Sequence, residues 1–215
     1  MLFSAADIKA DQICTAPKDP KFSGLEDMED RTYRRYCTLH YKLIAALGDI
    51  GLPAPGEQFR LVTRRTFNSV QFIDYIARQE TIEHMAIAIY SINFNAAKIL
   101  LNLVDERKIL TMDVLMSNLR NKAHREKETI VNRWLTDNKH ISLFFCSSHA
   151  KVFSCRTSAG NYYTLEGSGN MAYNSRVEQY VIDNDQGLYE FTCSWMAEIK
   201  RFLAGKKELE IASER

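Results

Sequence analysis

The spacing of apolar residues along the chain changes between two periods, and this alternation predicts strands and helices in turn. Short apolar runs that predict strands lie at residues 59–63, 84–92, 110–116 and 141–146. Apolar positions recur every three or four residues over 69–80, 96–107 and 123–138, which predicts amphipathic helices between them. The order strand, helix, strand, helix, strand predicts parallel strands joined by right-handed crossovers.

The last third of the chain is expected to add antiparallel pairing. A strand beginning near His149, a turn over 157–160 and a returning strand over 161–166 predict a hairpin. A further strand is predicted at 177–182, and a closing helix at 188–203. The predicted fold class is therefore α/β, with a mixed but mostly parallel sheet.

The first 56 residues form a separate region in this interpretation. Residues 14–30 contain prolines, glycine and acids without periodicity, which predicts an arm. Helical spacing over 29–50, ended by Gly48 and Gly51, predicts an N-terminal helix. The turn-rich segment 51–56 is the best boundary, so we divide the chain into 1–56, a domain over 57–205, and a charged tail over 206–215.

Composition narrows the class of protein. The 215 residues are 46% hydrophobic and 26% charged, which is ordinary for a globular domain. The apolar runs are too short to span a membrane and no secretory signal begins the chain, so we expect no membrane partner. Five scattered cysteines favour reduced thiols and a cytoplasmic location. A formal net charge of +1 means that any contact with nucleic acid must use a local patch.

The candidate chemistry lies in the predicted hairpin and just after it. His149 and Lys151 are two residues apart, so on a strand their side chains would share one face. The returning strand ends in Gly167-Ser168-Gly169-Asn170, and Glu178 follows. An imidazole nucleophile, donors for phosphate oxygens and a carboxylate to orient the imidazole are the groups that phosphodiester cleavage through a covalent intermediate requires.

These residues resemble the HKD signature of the phospholipase D superfamily, which is H-x-K, then Asp, then G-S/G-x-N, with a later Glu. His149-Ala150-Lys151, the segment 167–170 and Glu178 match in order. Arg156 stands where the Asp is expected, and the two half-motifs are slightly further apart than usual. The resemblance covers about residues 70–203 and implies a sheet layered between helices, in the single-motif branch that includes a bacterial endonuclease.

Family members use two motifs, and this chain has one. The resemblance therefore implies a homodimer in which two copies of His149 meet. One would attack phosphorus, and the other would protonate the leaving oxygen. Lys151 and Asn170 would hold the phosphate oxygens with Ser168 assisting, and Glu178 would orient a His149 ring. The resemblance implies no metal and no cofactor.

Two basic segments are candidates for binding nucleic acid. Arg120, Lys122 and Arg125 follow the second central strand, near the end of the sheet where a site would open. Arg64 and Arg65 follow the strand at 59–63. A solvated helix start with mixed charges is the favoured explanation of the first segment, and nucleic-acid binding by the second segment has still less support.

Two functions of different classes follow. The first is a metal-independent phosphodiesterase, a nuclease acting on DNA or RNA of undetermined strandedness. The second is an inactive phospholipase D-like protein that binds nucleic acid or serves in assembly, which Arg156 and the near-neutral charge favour. Taken alone, each part of the motif has an ordinary structural explanation. His149 would be a hydrogen-bonded strand histidine and Lys151 a surface lysine, while the segment 167–170 would be a turn and Glu178 a solvated carboxylate. Only their joint order supports the enzyme.

Overall fold

A computed structural model describes residues 39–44, 47–63, 69–118, 125–171 and 177–213. Within these residues, eight strands form one sheet in the order β1-β2-β8-β7-β6-β3-β4-β5. Their bounds are Leu39–Ile44 (β1), Gln58–Thr63 (β2), Ile82–Ile89 (β3), Met112–Ser117 (β4), Ile141–Cys146 (β5), Lys151–Thr157 (β6), Tyr162–Gly167 (β7) and Glu178–Asn184 (β8). Every strand predicted from the sequence after residue 57 is present.

The sheet is mixed, but the expectation that it is mostly parallel was wrong. Among the described strands, β1–β2, β3–β4 and β4–β5 pair in parallel, whereas β2–β8, β8–β7, β7–β6 and β6–β3 pair antiparallel. Helical crossovers join the parallel pairs β3–β4 and β4–β5, as predicted. The antiparallel pairs arise because β6, β7 and β8 follow one another through short connections and lie between β2 and β3.

Four helices cover the two faces of the sheet in the described part of the chain. Their bounds are Ser69–Gln79 (α1), Phe94–Asp105 (α2), Arg125–Asp137 (α3) and Gln186–Ser213 (α4). Apolar residues of α1, α2 and α3 share one buried cluster with the sheet. On the opposite face, Met196 and Trp195 of α4 pack with Ala86 and Ala88 of β3. The sheet is therefore layered between helices, as expected for an α/β protein.

The prediction of a helix over residues 29–50 was wrong for residues 39–44 and 47–50, which are the part of that segment that the structure describes. Residues 39–44 form β1, which pairs in parallel with β2, and Leu47–Asp49 form a short 3₁₀ helix. The sequence LHYKLI alternates apolar and polar positions as well as it fits a helical period. The open edge of β2 offers backbone partners that a helix would leave unused, which explains the outcome. Residues before Leu39 lie outside the described part.

The final helix is longer than predicted. We expected it to end at residue 203, but α4 continues to Ser213 into the segment named as a charged tail. No helix among the described residues is both long and apolar enough to cross a membrane.

Candidate active site

The β6–β7 hairpin that carries the motif is fixed at its tip by one carboxylate. Glu80, just after α1, accepts hydrogen bonds from the Thr157 hydroxyl, from Asn161 Nδ2 at 2.9 Å and from the Tyr163 hydroxyl at 3.3 Å. Gly160 in the turn has a φ of 81°, which glycine adopts without strain. The hairpin boundaries agree with the prediction.

His149 and Lys151 lie together at the other end of this hairpin. Lys151 is the first residue of β6, whereas exposed His149 precedes the strand, so its expected position on a strand was wrong. The two side chains nevertheless meet, with Lys151 Nζ 3.2 Å from His149 Nδ1. Because an ammonium can only donate, Nδ1 is the acceptor, and a neutral imidazole then carries its proton on Nε2. Lys151 Nζ also donates to the His149 carbonyl at 3.3 Å.

Tyr90 is a neighbour of His149 that the sequence reasoning missed. Its ring centroid lies 4.9 Å from that of His149, with the planes tilted by 49°. Tyr90 directly follows β3, whose last residue, Ile89, pairs with Lys151. An aromatic residue at the end of a central strand was the available signal, but only the β3–β6 pairing brings it to His149.

The two glycines of the Gly167–Asn170 segment are required by close packing. Gly167 pairs with Tyr180 of β8, and a Cβ at Gly167 would overlap Tyr180 Cδ1 and lie 2.6 Å from the Gln179 carbonyl oxygen. A Cβ at Gly169 would overlap the Tyr180 hydroxyl. We call Gly167–Asn170 the glycine loop. Its glycines let the backbone pass directly over a buried tyrosine ring.

Ser168 and Glu178 are brought together, but Glu178 does not reach His149 within one chain. The Ser168 hydroxyl donates to Glu178 Oε2 and accepts from the Gln179 backbone N–H at 3.1 Å. Glu178 is buried, at 7% exposure. Among the described residues, Ser168 is the hydrogen-bond partner of the Glu178 carboxylate, and the Glu178 backbone carbonyl accepts from the Thr63 hydroxyl at 3.4 Å. The predicted contact of Glu178 with a His149 ring is therefore absent from a single chain.

Asn170 ends the glycine loop with an unused acceptor. Its Oδ1 is buried and has no hydrogen-bond partner among the described residues. The next residue, Met171, is anchored by two backbone hydrogen bonds, from its N–H to the Ser91 carbonyl at 3.1 Å and from the Asn93 N–H to its carbonyl at 2.8 Å. These bonds tie the glycine loop to the segment that follows Tyr90.

Arg156, which replaces the motif's Asp, takes no part in this cluster. It is five residues from Lys151 on β6, so strand alternation directs the two side chains to opposite faces of the sheet. Arg156 Nε pairs with Glu83 Oε2 at 2.9 Å. The replacement therefore adds no cation beside His149.

The basic side chains predicted to bind nucleic acid lie outside the part of the chain that the structure describes. Arg64, Arg65, Arg120 and Lys122 lie outside the described residues, and only the backbone of Arg125 is described, as the start of α3. In the described part of the chain, no group of three or more His, Cys, Asp and Glu side chains is positioned to hold a metal ion.

A mixed sheet between helices, with an H-x-K pair and a glycine loop at adjoining strand ends, defines a phospholipase D-like α/β fold. Among solved structures, the chain is similar to Nuc from Salmonella typhimurium, a phospholipase D family member. That match has a TM-score of 0.50 and 16% identity, and covers 66% of this chain and 93% of that one.

Two larger proteins match over a quarter of their length. Polyphosphate kinase from Porphyromonas gingivalis gives a TM-score of 0.45 at 12% identity, covering 69% of this chain and 26% of its own. Yeast tyrosyl-DNA phosphodiesterase gives 0.30 at 11%, covering 47% and 25%. A scan against models of protein families and a search of curated protein sequences both give no match. The similarity is therefore one of fold.

Proposed function

We propose that this protein is a metal-independent phosphodiesterase that cleaves nucleic acid, with DNA as the first substrate to test. The observation that carries the proposal is the hydrogen bond between Lys151 and His149 beside the glycine loop. An ammonium next to an exposed imidazole pairs an anion-binding group with a nucleophile. The similar structure of Nuc, described as a phospholipase D family member, supports this reading at the level of fold.

The proposed reaction uses two subunits. An imidazole nitrogen of one His149 attacks phosphorus, a P–N bond forms, and the P–O bond to the leaving alcohol breaks. The partner subunit's His149 gives its proton to the leaving oxygen. Water then attacks the phosphohistidine and gives its proton to the partner subunit's His149. The P–N bond breaks, and the product is a phosphomonoester.

The remaining motif residues have defined roles in this proposal. Lys151 and Asn170 neutralise and hold the non-bridging oxygens, and Ser168 assists. Phosphate binding at Lys151 would draw the ammonium from His149 Nδ1 and free the ring to change tautomer. Glu178 orients a His149 ring in the assembled dimer, where it would exchange its present contact with Ser168 for one with the imidazole.

The first experiment measures hydrolysis of a chromogenic phosphodiester and of plasmid DNA in excess EDTA. We expect wild-type turnover to persist and His149→Ala to lose it, because the nucleophile is gone. His140→Ala is the matched control, since His140 lies before β5, away from the hairpin. Activity that requires a divalent ion would contradict the mechanism.

A second experiment tests the shared site. Sedimentation should show a dimer, and mixing inactive His149→Ala with inactive Glu178→Ala subunits should change activity if one site draws on both chains. A strictly monomeric, fully active protein would exclude the two-subunit scheme.

The described cysteines, Cys146, Cys155 and Cys193, are free thiols, which supports the further proposal of a cytoplasmic location.

One observation favours a second candidate, a protein that binds nucleic acid or serves in assembly without cleaving it. Arg156 stands where the family signature has Asp and pairs with Glu83 at 2.9 Å, so the motif carboxylate is missing from this strand. DNA retention without turnover by purified wild-type protein would select this candidate over the enzyme.

A further inference from the structure

Two aromatic rings contact each other at the protein surface, close in the fold to the glycine loop. The Phe94 ring centroid lies 4.6 Å from the Trp134 ring centroid, and the ring planes are tilted by 50°. Phe94 is 49% exposed, and Trp134 is partly exposed. Exposed aromatic surface of this kind can be covered by a further flat ring, such as a nucleobase.

Hydrogen bonds tie the start of α2 to the end of the glycine loop. The Asn93 N–H donates to the carbonyl of Met171, the residue after Asn170, at 2.8 Å. The Asn93 side chain also caps α2, because its Oδ1 accepts from the Ala96 N–H at 2.8 Å. Phe94 is the first residue of α2. Asn93 therefore fixes Phe94 beside the end of the glycine loop.

The separation between Phe94 and Asn170 suits two positions along one nucleic-acid strand. Through the hydrogen bond between Asn93 and Met171, the Cα atoms of Phe94 and Asn170 are at most about 14 Å apart. Neighbouring nucleotides of a duplex strand are roughly 3.4 Å apart along the helix axis, so this span is a few nucleotides. A strand with a phosphate at Asn170 can therefore place a nearby base at Phe94.

The proposed phosphate-binding lysine faces the side of the sheet that α2 covers. Lys151, Phe153 and Cys155 are alternate residues of β6, so their side chains share one face. Phe153 and Cys155 belong to the buried cluster that contains apolar residues of α1, α2 and α3. Lys151 also pairs with Ile89, and Phe94 begins α2 five residues after Ile89. The aromatic pair and the H-x-K pair are therefore on one side of the sheet, at the same end.

Exposed cations adjoin the aromatic pair. Lys98 is four residues after Phe94, so the two side chains share one face of α2, and Arg133 directly precedes Trp134. Both cations are exposed. The exposed Asp137 lies one turn after Arg133 and can offset that charge, which leaves Lys98. Proteins hold single strands with this combination, because cations attract the phosphates while rings stack on the bases.

We propose that Phe94 and Trp134 form a stacking site for an unpaired base of a single-stranded nucleic acid whose scissile phosphate is held at His149 and Lys151. This inference rests on the proposed function, because it names the substrate class of the same site. A duplex keeps its bases paired and stacked inside the helix, so the aromatic pair favours single strands. Neither aromatic residue belongs to the H-x-K or G-S-x-N motif.

The first test measures binding of a fluorescent oligothymidylate by anisotropy, in the His149→Ala background so that the probe is not cut. We expect Phe94→Ala to weaken binding by about tenfold, as for the loss of one stacked base. Phe94→Tyr keeps a ring and should bind within about twofold of the parent protein. Phe191→Ala is the matched control, because Phe191 is 60% exposed on α4, across the sheet, and should not change the affinity.

A second probe of equal charge tests whether the rings bind the base. An oligonucleotide of the same length without its bases retains every phosphate, so Phe94→Ala should leave its affinity unchanged.

Trp134 can also report the contact directly. Trp195→Phe leaves Trp134 as the single tryptophan of the chain. Stacking of a base should quench its fluorescence, and the abasic strand should not. This measurement leaves Phe94 intact, so it holds even if Phe94→Ala proves unstable.

The outcomes distinguish this inference from the proposed function. If wild type cleaves a phosphodiester while Phe94→Ala binds oligothymidylate as its parent does, the stacking site is overturned and the function stands. If binding depends on both the ring and the base but wild type cleaves nothing, the stacking site stands and the hydrolase does not. Equal weakening for the normal and abasic strands, or tighter binding of duplex than of single strand, overturns the stacking site.

Discussion

Tyr180 lies directly opposite Gly167 across the β7–β8 pair, and its ring covers the glycine so closely that no side chain fits between them. Gly167 and Gly169 have ordinary backbone angles, since the positive-φ glycines of the described chain are Gly51, Gly56 and Gly160. The glycines of the motif are therefore fixed by contact with Tyr180 and not by a turn.

This contact predicts the effect of adding one methyl group. Gly167→Ala should destabilise the fold by about 1–3 kcal/mol, the usual cost of overpacking a close contact. Urea unfolding measures the change. Gly205→Ala is the matched control, because Gly205 lies inside α4 with open space around it. That control should gain about 0.5–1 kcal/mol from helix propensity. Equal stability of Gly167→Ala and wild type would contradict the packing explanation.

Glu80 predicts a large stability effect from a residue outside the motif. Three side chains of the hairpin, Thr157, Asn161 and Tyr163, donate to this one carboxylate. Glu80→Ala leaves these donors unpaired, and should lower the free energy of unfolding by about 2–4 kcal/mol. The exposed Glu198→Ala on α4 is the control and should change it by less than about 0.5 kcal/mol. A small effect at Glu80 would mean that solvent replaces the network.

Tyr90 is predicted to act as a positioning residue for His149 in the proposed reaction. Tyr90→Ala removes the ring that packs against the imidazole, and should lower kcat about tenfold while KM changes little. Tyr90→Phe retains the ring contact and should restore most of the rate. Steady-state kinetics with a chromogenic phosphodiester measures both constants. Equal losses in the two variants would assign the effect to the hydroxyl instead.

His84 and Asp113 predict a pH-dependent stability on the opposite face of the sheet. His84 Nε2 lies 3.4 Å from Asp113 Oδ2, and His84 Nδ1 lies 2.9 Å from the Tyr189 hydroxyl. The Asp113 carboxylate first, and then the Cys193 thiol, raise the pKa of His84 from 6.5 to about 9. Lys200 also binds Asp113, and the pKa of Asp113 lies well below its usual range.

The sign follows from the raised pKa of His84. Its contribution to stability is fully present below about pH 6.5 and is lost as the pH rises through about 9. His84→Gln should therefore be more destabilising at pH 6 than at pH 9.5 in denaturant titrations. A His84→Gln effect that is constant with pH would contradict the charged pair.

The position of Arg156 predicts that it does not limit activity directly. The Arg156–Glu83 pair is 46% and 41% exposed, so Arg156→Ala should cost at most about 1 kcal/mol and leave kcat within about twofold of wild type. Arg156→Asp should be less stable than Arg156→Ala, because it sets two carboxylates against each other. A large rise in kcat for Arg156→Asp would show that the missing Asp matters.

Helices and strands whose apolar residues follow one clear period were predictable from the sequence. The hairpin and α2 lie within two or three residues of their expected bounds, because turn residues and apolar spacing agree there. The segment 39–44 fits both periods, and the neighbouring edge of β2 decides it as a strand. The sequence also could not predict that antiparallel strand pairs outnumber parallel ones. That number depends on the position of β6, β7 and β8 between β2 and β3 in the sheet.

The contact between His149 and Lys151 was predictable from the sequence, whereas the residues around the pair were not. His149 and Lys151 are close in sequence, so local geometry alone brings them together. Tyr90 reaches His149 through the β3–β6 pairing, and Tyr180 reaches Gly167 through the β7–β8 pairing, so no local pattern marks either residue. Glu178 was chosen for its order in the motif, and its bond to Ser168 depends on the β7–β8 register.

The order of the strands has a consequence for a chain emerging from the ribosome. β2 and β3 are consecutive in sequence, yet three strands made later separate them in the finished sheet. The sheet between β2 and β3 cannot form from the first half of the polypeptide alone. It requires β6, β7 and β8, the last of which ends at Asn184. Such long-range pairing folds slowly. The proposed activity therefore requires that translation has passed β8, and we expect a product that ends before β8 to lack it.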